Sequence, residues 1–149
     1  MNQDLYFLEQ ALKEAKKSAA KAEVPVGAII VKDKKIIARA HNLKESRNDP
    51  TAHAELLAIQ KAAKKLKSWR LLDCTLYTTL EPCPMCAGTI LQARLKRIIY
   101  GAKDLKWGAA GTIVNLLNTN KFNHQPEIEH ITHQESTNIL KDFFKKRRS

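Results

Sequence analysis

Two short segments constrain what this chain can fold into more than any other feature of its sequence. The first is His53-Ala54-Glu55, and the second is Pro82-Cys83-Pro84-Met85-Cys86. The spacing of Cys83 and Cys86 lets two thiolates hold one metal ion, and His53 can reach that ion only if the fold brings it there as a third ligand. A structure of this chain therefore has to place the two segments side by side.

These ligand types, at this spacing, indicate a reactive zinc site. Three protein ligands leave the fourth tetrahedral position of zinc open, and an open position holds a water molecule. Glu55 lies about 200° around a helix from His53, which suits an acid beside the metal better than a further ligand. The pattern His-x-Glu followed by Pro-Cys-x-x-Cys is the known signature of zinc-dependent nucleobase deaminases, in which the glutamate moves protons. We therefore predict a catalytic Glu55 and the zinc ligands His53, Cys83 and Cys86.

Two plainer interpretations of the cysteine pair are less well supported. A structural zinc knuckle requires a fourth protein ligand, for which Cys74 is the obvious candidate, although it falls in a predicted strand; His124, His130 and His133 are isolated in the sequence. A redox pair uses the same Cys-x-x-Cys spacing, but it leaves the His-Ala-Glu segment without a role.

Length and charge narrow the class of protein. A chain of 149 residues with 44% hydrophobic residues is typical of one globular domain, here 1–149, and it contains no long apolar run. The first residues lack the pattern of a signal peptide, so we expect a cytoplasmic protein. The formal net charge of +11, part of it in a basic tail at the C-terminus, favours a polyanionic partner, with nucleic acid ahead of membrane.

Apolar periodicity predicts the order of the elements. Helices are expected over 4–22, 51–65, 83–93 and 135–146, with a short additional helix over 113–117, and strands over 27–31, 35–40, 75–80, 97–101 and 128–131. The first two strands form an antiparallel hairpin. The segment with Cys83 and Cys86 begins a helix that lies between two predicted strands. This connection is a crossover, so the two strands are expected to be parallel.

Beyond the zinc residues, the sequence resembles the bacterial tRNA-specific adenosine deaminases over nearly its whole length. The matching segments are Glu23-Val-Pro-Val-Gly-Ala, Asp49-Pro-Thr-Ala-His-Ala-Glu, Thr79-Leu-Glu-Pro-Cys-Pro-Met-Cys-Ala-Gly, Tyr100-Gly-Ala-Lys-Asp, Gly108-Ala-Ala-Gly, Phe122-Asn-His and Asp142-Phe-Phe with the basic residues after it. The resemblance implies an α/β protein with a three-layer α/β/α cytidine-deaminase-like fold and a mixed five-stranded sheet. It also implies a homodimer, with one zinc ion per subunit, that converts the wobble adenosine of an arginine tRNA anticodon to inosine.

The same resemblance implies contacts to the RNA. Asn42 would hydrogen-bond the flipped-out base. Other residues would line the groove for the anticodon loop (Asp104, Lys106, Phe122, Asn123, His124) or contact phosphates from the tail (Lys145, Lys146, Arg147, Arg148). Trp107 departs from the family pattern, since a small residue is expected there, and it would stack on a nucleotide or close a dimer or core contact.

Two other functions compete with this one. The first is deamination of guanine or cytidine as free bases or nucleosides, which needs the same zinc chemistry but no basic surface. The second is a non-catalytic nucleic-acid-binding module with a structural zinc, in which Glu55 would have no essential role.

Overall fold

The computed structural model describes residues 2–148, except for the side chain of Arg148. Its helices are α1 (Gln3–Ala20), α2 (Ala54–Leu66), α3 (Pro84–Ala93) and α4 (Gln134–Arg148), and its strands are β1 (Gly27–Lys32), β2 (Lys35–His41), β3 (Cys74–Thr78), β4 (Arg97–Tyr100) and β5 (Glu127–His130). The strands form one sheet in the order β2-β1-β3-β4-β5. β1 pairs antiparallel with β2 and β3, whereas β3, β4 and β5 are parallel. The mixed five-stranded sheet, the hairpin and the parallel crossover are all confirmed.

The sheet is covered on both faces, which explains the continuous apolar sequence of β1. Ala28 and Ile30 belong to the core that β1 forms with α2 and α3, whereas Ile29 and Val31 pack with α1 on the opposite face. α4 packs against α1. These contacts produce the three-layer arrangement. Within residues 2–148, no helix combines the length and the apolar character needed to cross a membrane.

α1 lies very close to the start of β1, and Gly27 makes this approach possible. A Cβ atom on Gly27 would overlap the carbonyl oxygen of Ala11 and would lie 2.5 Å from the backbone nitrogen of Ala15. Only glycine fits at such a separation. The close packing fixes the connection from α1 to β1, and that connection runs along the pocket described below.

Turn chemistry explains the hairpin between β1 and β2. Asp33 and Lys34 have φ angles of 51° and 64°. Positive φ at both central residues is the signature of the two-residue type I′ turn, whose twist matches that of the flanking strands.

Three details of the sequence prediction need correction. α1 ends at Ala20 rather than at residue 22. α2 begins at Ala54 rather than at residue 51, and His53 is its N-cap. The predicted helix over 113–117 is wrong, because this segment binds back to the preceding loop: the N–H of Val114 donates to the carbonyl of Gly108, and the N–H of Leu116 donates to that of Ala109.

Candidate active site

Two helix N-termini bring the candidate metal ligands together. His53 is the N-cap of α2, and Cys83 is the N-cap of α3, which continues into Pro84 at its start. Cys86 follows in the first turn of α3. Since the free N–H groups at a helix start carry partial positive charge, this placement favours thiolates and other anions.

The three side chains converge as the sequence predicts. The Nδ1 atom of His53 lies 3.5 Å from Sγ of Cys83 and 3.6 Å from Sγ of Cys86. All three ligand atoms fall within 4.8 Å of one another. One imidazole nitrogen and two sulfurs are a donor set that suits zinc, and three ligands leave one tetrahedral position for chemistry.

Cys74 does not join this group, which removes the leading candidate for a structural knuckle. It begins β3 and is buried there, with its Sγ atom 3.6 Å from the carbonyl oxygen of Leu72. β3 then runs to Thr78 before the chain reaches Cys83. Among the described residues, the cluster whose ligand atoms lie within 4.8 Å of one another contains His53, Cys83 and Cys86 but not Cys74.

The electrostatics of the cluster favour one thiolate even before a metal binds. A hydrogen bond from Cys86, helped by His53, lowers the pKa of Cys83 to about 4 against the effect of burial. The pKa of Cys86 is raised, because its thiol donates to Cys83 and is buried. The contact with Cys83 in turn raises the pKa of His53.

Glu55 lies next to this cluster, in the first turn of α2, and only 4% of it is exposed. Burial raises the pKa of Glu55 to about 7. A carboxyl group with a pKa near the working pH can both accept and release a proton during a reaction, which is what a general acid–base requires.

A pocket of about 410 Å³ opens beside these residues, and both His53 and Glu55 line it. This volume lies in the range of small-molecule sites. Asn42 reaches the pocket too and is largely buried. Its Nδ2 donates to the carbonyl of Val24 at 3.1 Å, and its Oδ1 accepts from the N–H of Lys44 at 3.1 Å. These bonds fix the amide while leaving it one hydrogen and one lone pair for a ligand.

The structure places the predicted groove residues in two separate locations. Asp104 lines the pocket, and Lys106 is exposed on the same loop. The segment with Phe122 and Asn123 is exposed, and the Nε2 atom of His124 lies 2.7 Å from the carbonyl oxygen of Leu95, just beyond α3. Since Cys83 lies at the other end of α3, a ten-residue helix of roughly 15 Å, the structure does not bring His124 to the pocket of its own chain.

The basic tail forms the end of α4. Lys145, Lys146 and Arg147 are exposed there, while the side chain of Arg148 lies outside the described residues. Arg147 is also tied to the body of the protein: its Nη2 donates to the carbonyl of Ala22 at 2.9 Å, and its guanidinium lies 4.9 Å from the ring centre of Phe143.

Sequence reasoning missed several residues of the pocket wall. Lys44 lines the pocket and was not among the predicted residues. Trp107, for which the sequence left three roles open, lines the pocket as well and is 64% exposed, which excludes a core contact. Glu23 and Glu81 are fully buried carboxylates that bind the loops around the pocket. Burial favours a higher pKa for Glu23, but hydrogen bonds from Ser46 and Glu45 outweigh it and hold the pKa below its ordinary value. One indication of their role is present in the sequence, because each glutamate stands among apolar and turn-forming residues. A carboxylate that is buried among such residues requires hydrogen-bond donors.

Comparison with known proteins agrees with this site. A family model described as MafB19-like deaminase matches residues 1–148. The tRNA-specific adenosine deaminase of Bacillus subtilis (strain 168) is 48% identical over 149 residues, which cover 99% of this chain and 92% of the relative. The chain belongs to the tRNA-specific adenosine deaminase family. As a family member it is an enzyme, and the deaminase reaction is a hydrolysis.

Solved structures agree with this family assignment, and they include a deaminase that acts on a different base. A structure from a study of A-to-I editing by tRNA A34 deaminases has a TM-score of 0.86 and 41% identity, and the match covers 91% of this chain and 99% of that one. The guanine deaminase from Bacillus subtilis has a TM-score of 0.68 and 37% identity, with coverage of 100% and 96%. The cytidine-deaminase-like fold implied by the sequence resemblance is confirmed.

Proposed function

We propose that this deaminase converts the wobble adenosine of an arginine tRNA anticodon to inosine and uses one zinc ion per subunit. The observation that carries the proposal is the convergence of His53, Cys83 and Cys86 beside a buried glutamate in a pocket of about 410 Å³. Zinc, when bound there, would lower the pKa of water and so supply the nucleophile at neutral pH. The identity to tRNA-specific adenosine deaminases supports the choice of substrate.

Glu55 moves the protons in this mechanism. Its carboxylate accepts a proton from the attacking water and delivers one to the purine ring nitrogen, and it then helps the amino group to leave as ammonia. Water and adenosine are consumed, and inosine and ammonia are produced. Asn42 holds the edge of the base with the hydrogen and the lone pair that its backbone contacts leave free.

The surface around the pocket supports an RNA substrate. A base in an anticodon loop is already partly unstacked, so flipping it into a pocket costs less than it does in a duplex. Lys44, Lys106 and Trp107 lie at or near the pocket, and cations with an aromatic ring suit a splayed single strand. The net charge of +11 and the tail on α4 add a phosphate-binding surface.

The homodimer and the cytoplasmic location are part of the same proposal. Leu105, Ile113 and Val114 are exposed apolar side chains on the loop after β4, with 77%, 54% and 42% of each accessible. Exposed large apolar side chains on one loop support the proposal that a partner covers this surface. Sedimentation of the zinc-loaded protein tests the dimer: a sedimenting mass of a single chain would contradict it.

The deciding experiment uses an arginine tRNA anticodon stem-loop with adenosine at the wobble position. We expect inosine and ammonia from this RNA, and neither product from the same stem-loop with the adenosine moved one position along the loop. Guanine and cytidine serve as small-molecule controls. Release of ammonia from a small molecule, with none from the RNA, would contradict the proposal.

Guanine deamination remains the second candidate, because the guanine deaminase from Bacillus subtilis matches this chain over its full length. The two functions differ in their need for the basic surface. A deaminase of free guanine has no phosphates to bind, so its activity should vary little with salt. The turnover of a stem-loop should fall steeply as salt rises, because bound cations are released when lysines and arginines contact phosphates.

A further inference from the structure

Two buried carboxylates at the pocket have no part in the reaction described above. Glu81 lies between β3 and the zinc ligands and is 1% exposed. Its Oε1 accepts from the N–H of Asp104 at 3.1 Å and from the hydroxyl of Thr112 at 2.5 Å, and its Oε2 accepts from the N–H groups of Ala110 at 2.9 Å and Thr112 at 3.2 Å. One side chain therefore holds the whole loop from Asp104 to Thr112.

The loop is shaped to fit this carboxylate. A Cβ atom on Gly108 would lie 2.5 Å from Cδ of Glu81 and 2.6 Å from its Oε1. The loop backbone can thus approach Glu81 only where it has no side chain. Asp104 then extends the network, because its Oδ1 accepts from the N–H of Lys106 at 3.0 Å and from that of Trp107 at 3.1 Å.

Glu23 performs the equivalent task on the opposite wall. It follows α1 and is fully buried. Its Oε1 accepts from the N–H of Glu45 at 2.9 Å, and its Oε2 accepts from the N–H of Ser46 at 2.5 Å. These residues follow Lys44, which lines the pocket and whose own N–H is held by Asn42.

We propose that Glu23 and Glu81 are positioning residues for RNA, each of which fixes one of the two loops that form the walls of the pocket. Glu23 holds the wall that carries Lys44, and Glu81 holds the wall that carries Asp104 and Trp107. Neither carboxylate needs to touch the reacting atoms. The proposal deepens the proposed function, on which it rests, by naming what sets the fit between the pocket mouth and the nucleotides beside the target.

The task requires a carboxylate and not merely a polar side chain. Every bond to Glu81 and Glu23 comes from an N–H or O–H donor, so both oxygens of each group must accept. A glutamine of the same shape would turn an NH₂ group toward those donors, which leaves buried donors unpaired. The loop would then move while the zinc ligands stay in place.

Steady-state kinetics on the anticodon stem-loop test this inference. For E23Q and E81Q we expect KM for the RNA to rise about tenfold while kcat stays within about threefold, the pattern expected when binding outside the reacting centre is weakened. D4N is the matched control. Asp4 is half-buried and accepts hydrogen bonds from Tyr77 and Arg97, but it lies on α1, away from both loops. Replacing a carboxylate that has only a structural role should lower the melting temperature and the active fraction and leave KM unchanged, and this is the result that we expect for D4N.

If E81Q does not fold, T112V takes its place, because it removes only the hydroxyl donor to Glu81. KM within about twofold of wild type in E23Q and in E81Q (or T112V) would overturn the inference. Hydrogen exchange separates it from the proposed function, since exchange needs no substrate. In the zinc-loaded protein, E81Q should speed exchange at the amides of Asp104, Ala110 and Thr112 and spare that of Ala87 in α3. Unchanged exchange at the loop amides refutes the positioning role, whereas fast exchange in a protein that does not act on RNA refutes only the proposed substrate.

Discussion

Replacing Glu55 by glutamine should separate the chemistry of this site from its construction. The substitution keeps the shape of a side chain that is 4% exposed, so the pocket and the first turn of α2 should keep their geometry. It removes the only group in the proposed mechanism that carries protons. Because the side chain is buried, bulk water cannot take over that role.

The expected loss follows from that single change. General acid–base catalysis contributes about 10²- to 10⁴-fold to a rate, which corresponds to roughly 3 to 5 kcal/mol of transition-state stabilisation. The burial of Glu55 places E55Q toward the upper end, with kcat reduced about a thousandfold or more. Zinc content should not change, since Glu55 is not among the three converging ligands. Stability should not fall either, because a neutral amide replaces a carboxyl group whose pKa is raised by burial.

Three measurements on one preparation check these expectations. Single-turnover formation of inosine in the stem-loop gives the rate, metal analysis gives the zinc content, and fluorescence anisotropy gives the affinity for the RNA. E129Q, which changes an exposed glutamate on β5, serves as the control and should behave as wild type. Turnover of E55Q within about tenfold of wild type would refute the assigned role and favour a non-catalytic module. Loss of zinc together with activity would make Glu55 part of the metal site.

Three further predictions concern the scaffold and the tail. G27A should lower the free energy of unfolding by about 3 kcal/mol or more, because its Cβ would overlap the carbonyl oxygen of Ala11; an unchanged urea midpoint would contradict this close approach. Burial favours a higher pKa for Asp4, but hydrogen bonds from Arg97 and Tyr77 outweigh it, so the pKa lies below its ordinary value in the folded protein. The ionised Asp4 carboxylate therefore stabilises the folded protein above the pKa that it has in the unfolded chain, and this stabilisation is lost as pH falls through its lower pKa in the folded protein. The difference in unfolding free energy between wild type and D4N should be full at neutral pH and should shrink as acid protonates the carboxylate. A difference that does not vary with pH would contradict this prediction. Removal of residues 145–149 should make the slope of log affinity for RNA against log salt concentration less steep, by about 0.7 to 0.9 for each phosphate that the tail binds, and should leave the zinc content unchanged. An equal slope in the full and truncated proteins would mean that the tail does not touch RNA.

The convergence of the three candidate metal ligands could be predicted from the sequence because their chemistry leaves little choice. A histidine, a glutamate two positions later and a Cys-x-x-Cys pair can meet at one metal only if both segments begin helices that come together. In the structure His53 and Cys83 are the N-caps of α2 and α3, and Glu55 and Cys86 lie in the first turns. The same applies to the sheet. β1 must be covered on both faces of the sheet, because its apolar residues do not alternate with polar ones.

The loops could not be predicted in this way. Apolar spacing suggested a helix over 113–117, but the N–H groups of Val114 and Leu116 bind carbonyls of the preceding loop instead. Burial of Glu23 and Glu81 depends on donors that lie more than twenty residues later in the sequence. The local sequence shows only that each glutamate stands among apolar and turn-forming residues, and it does not show which donors the glutamate binds.

The difference between helix ends and loops also bears on specificity. The candidate catalytic groups lie at the starts of α2 and α3, and both helices share the main hydrophobic core with the sheet. The residues that we propose meet the rest of the substrate lie on two loops, and each loop is held by one buried carboxylate. A deaminase built in this way can acquire a different substrate through its loops without disturbing the metal site. The match of one chain to both a tRNA A34 deaminase and a guanine deaminase fits that division. It also explains why the zinc signature alone does not identify the substrate, whereas the loop residues Lys44, Asp104 and Trp107 are where the two specificities should differ.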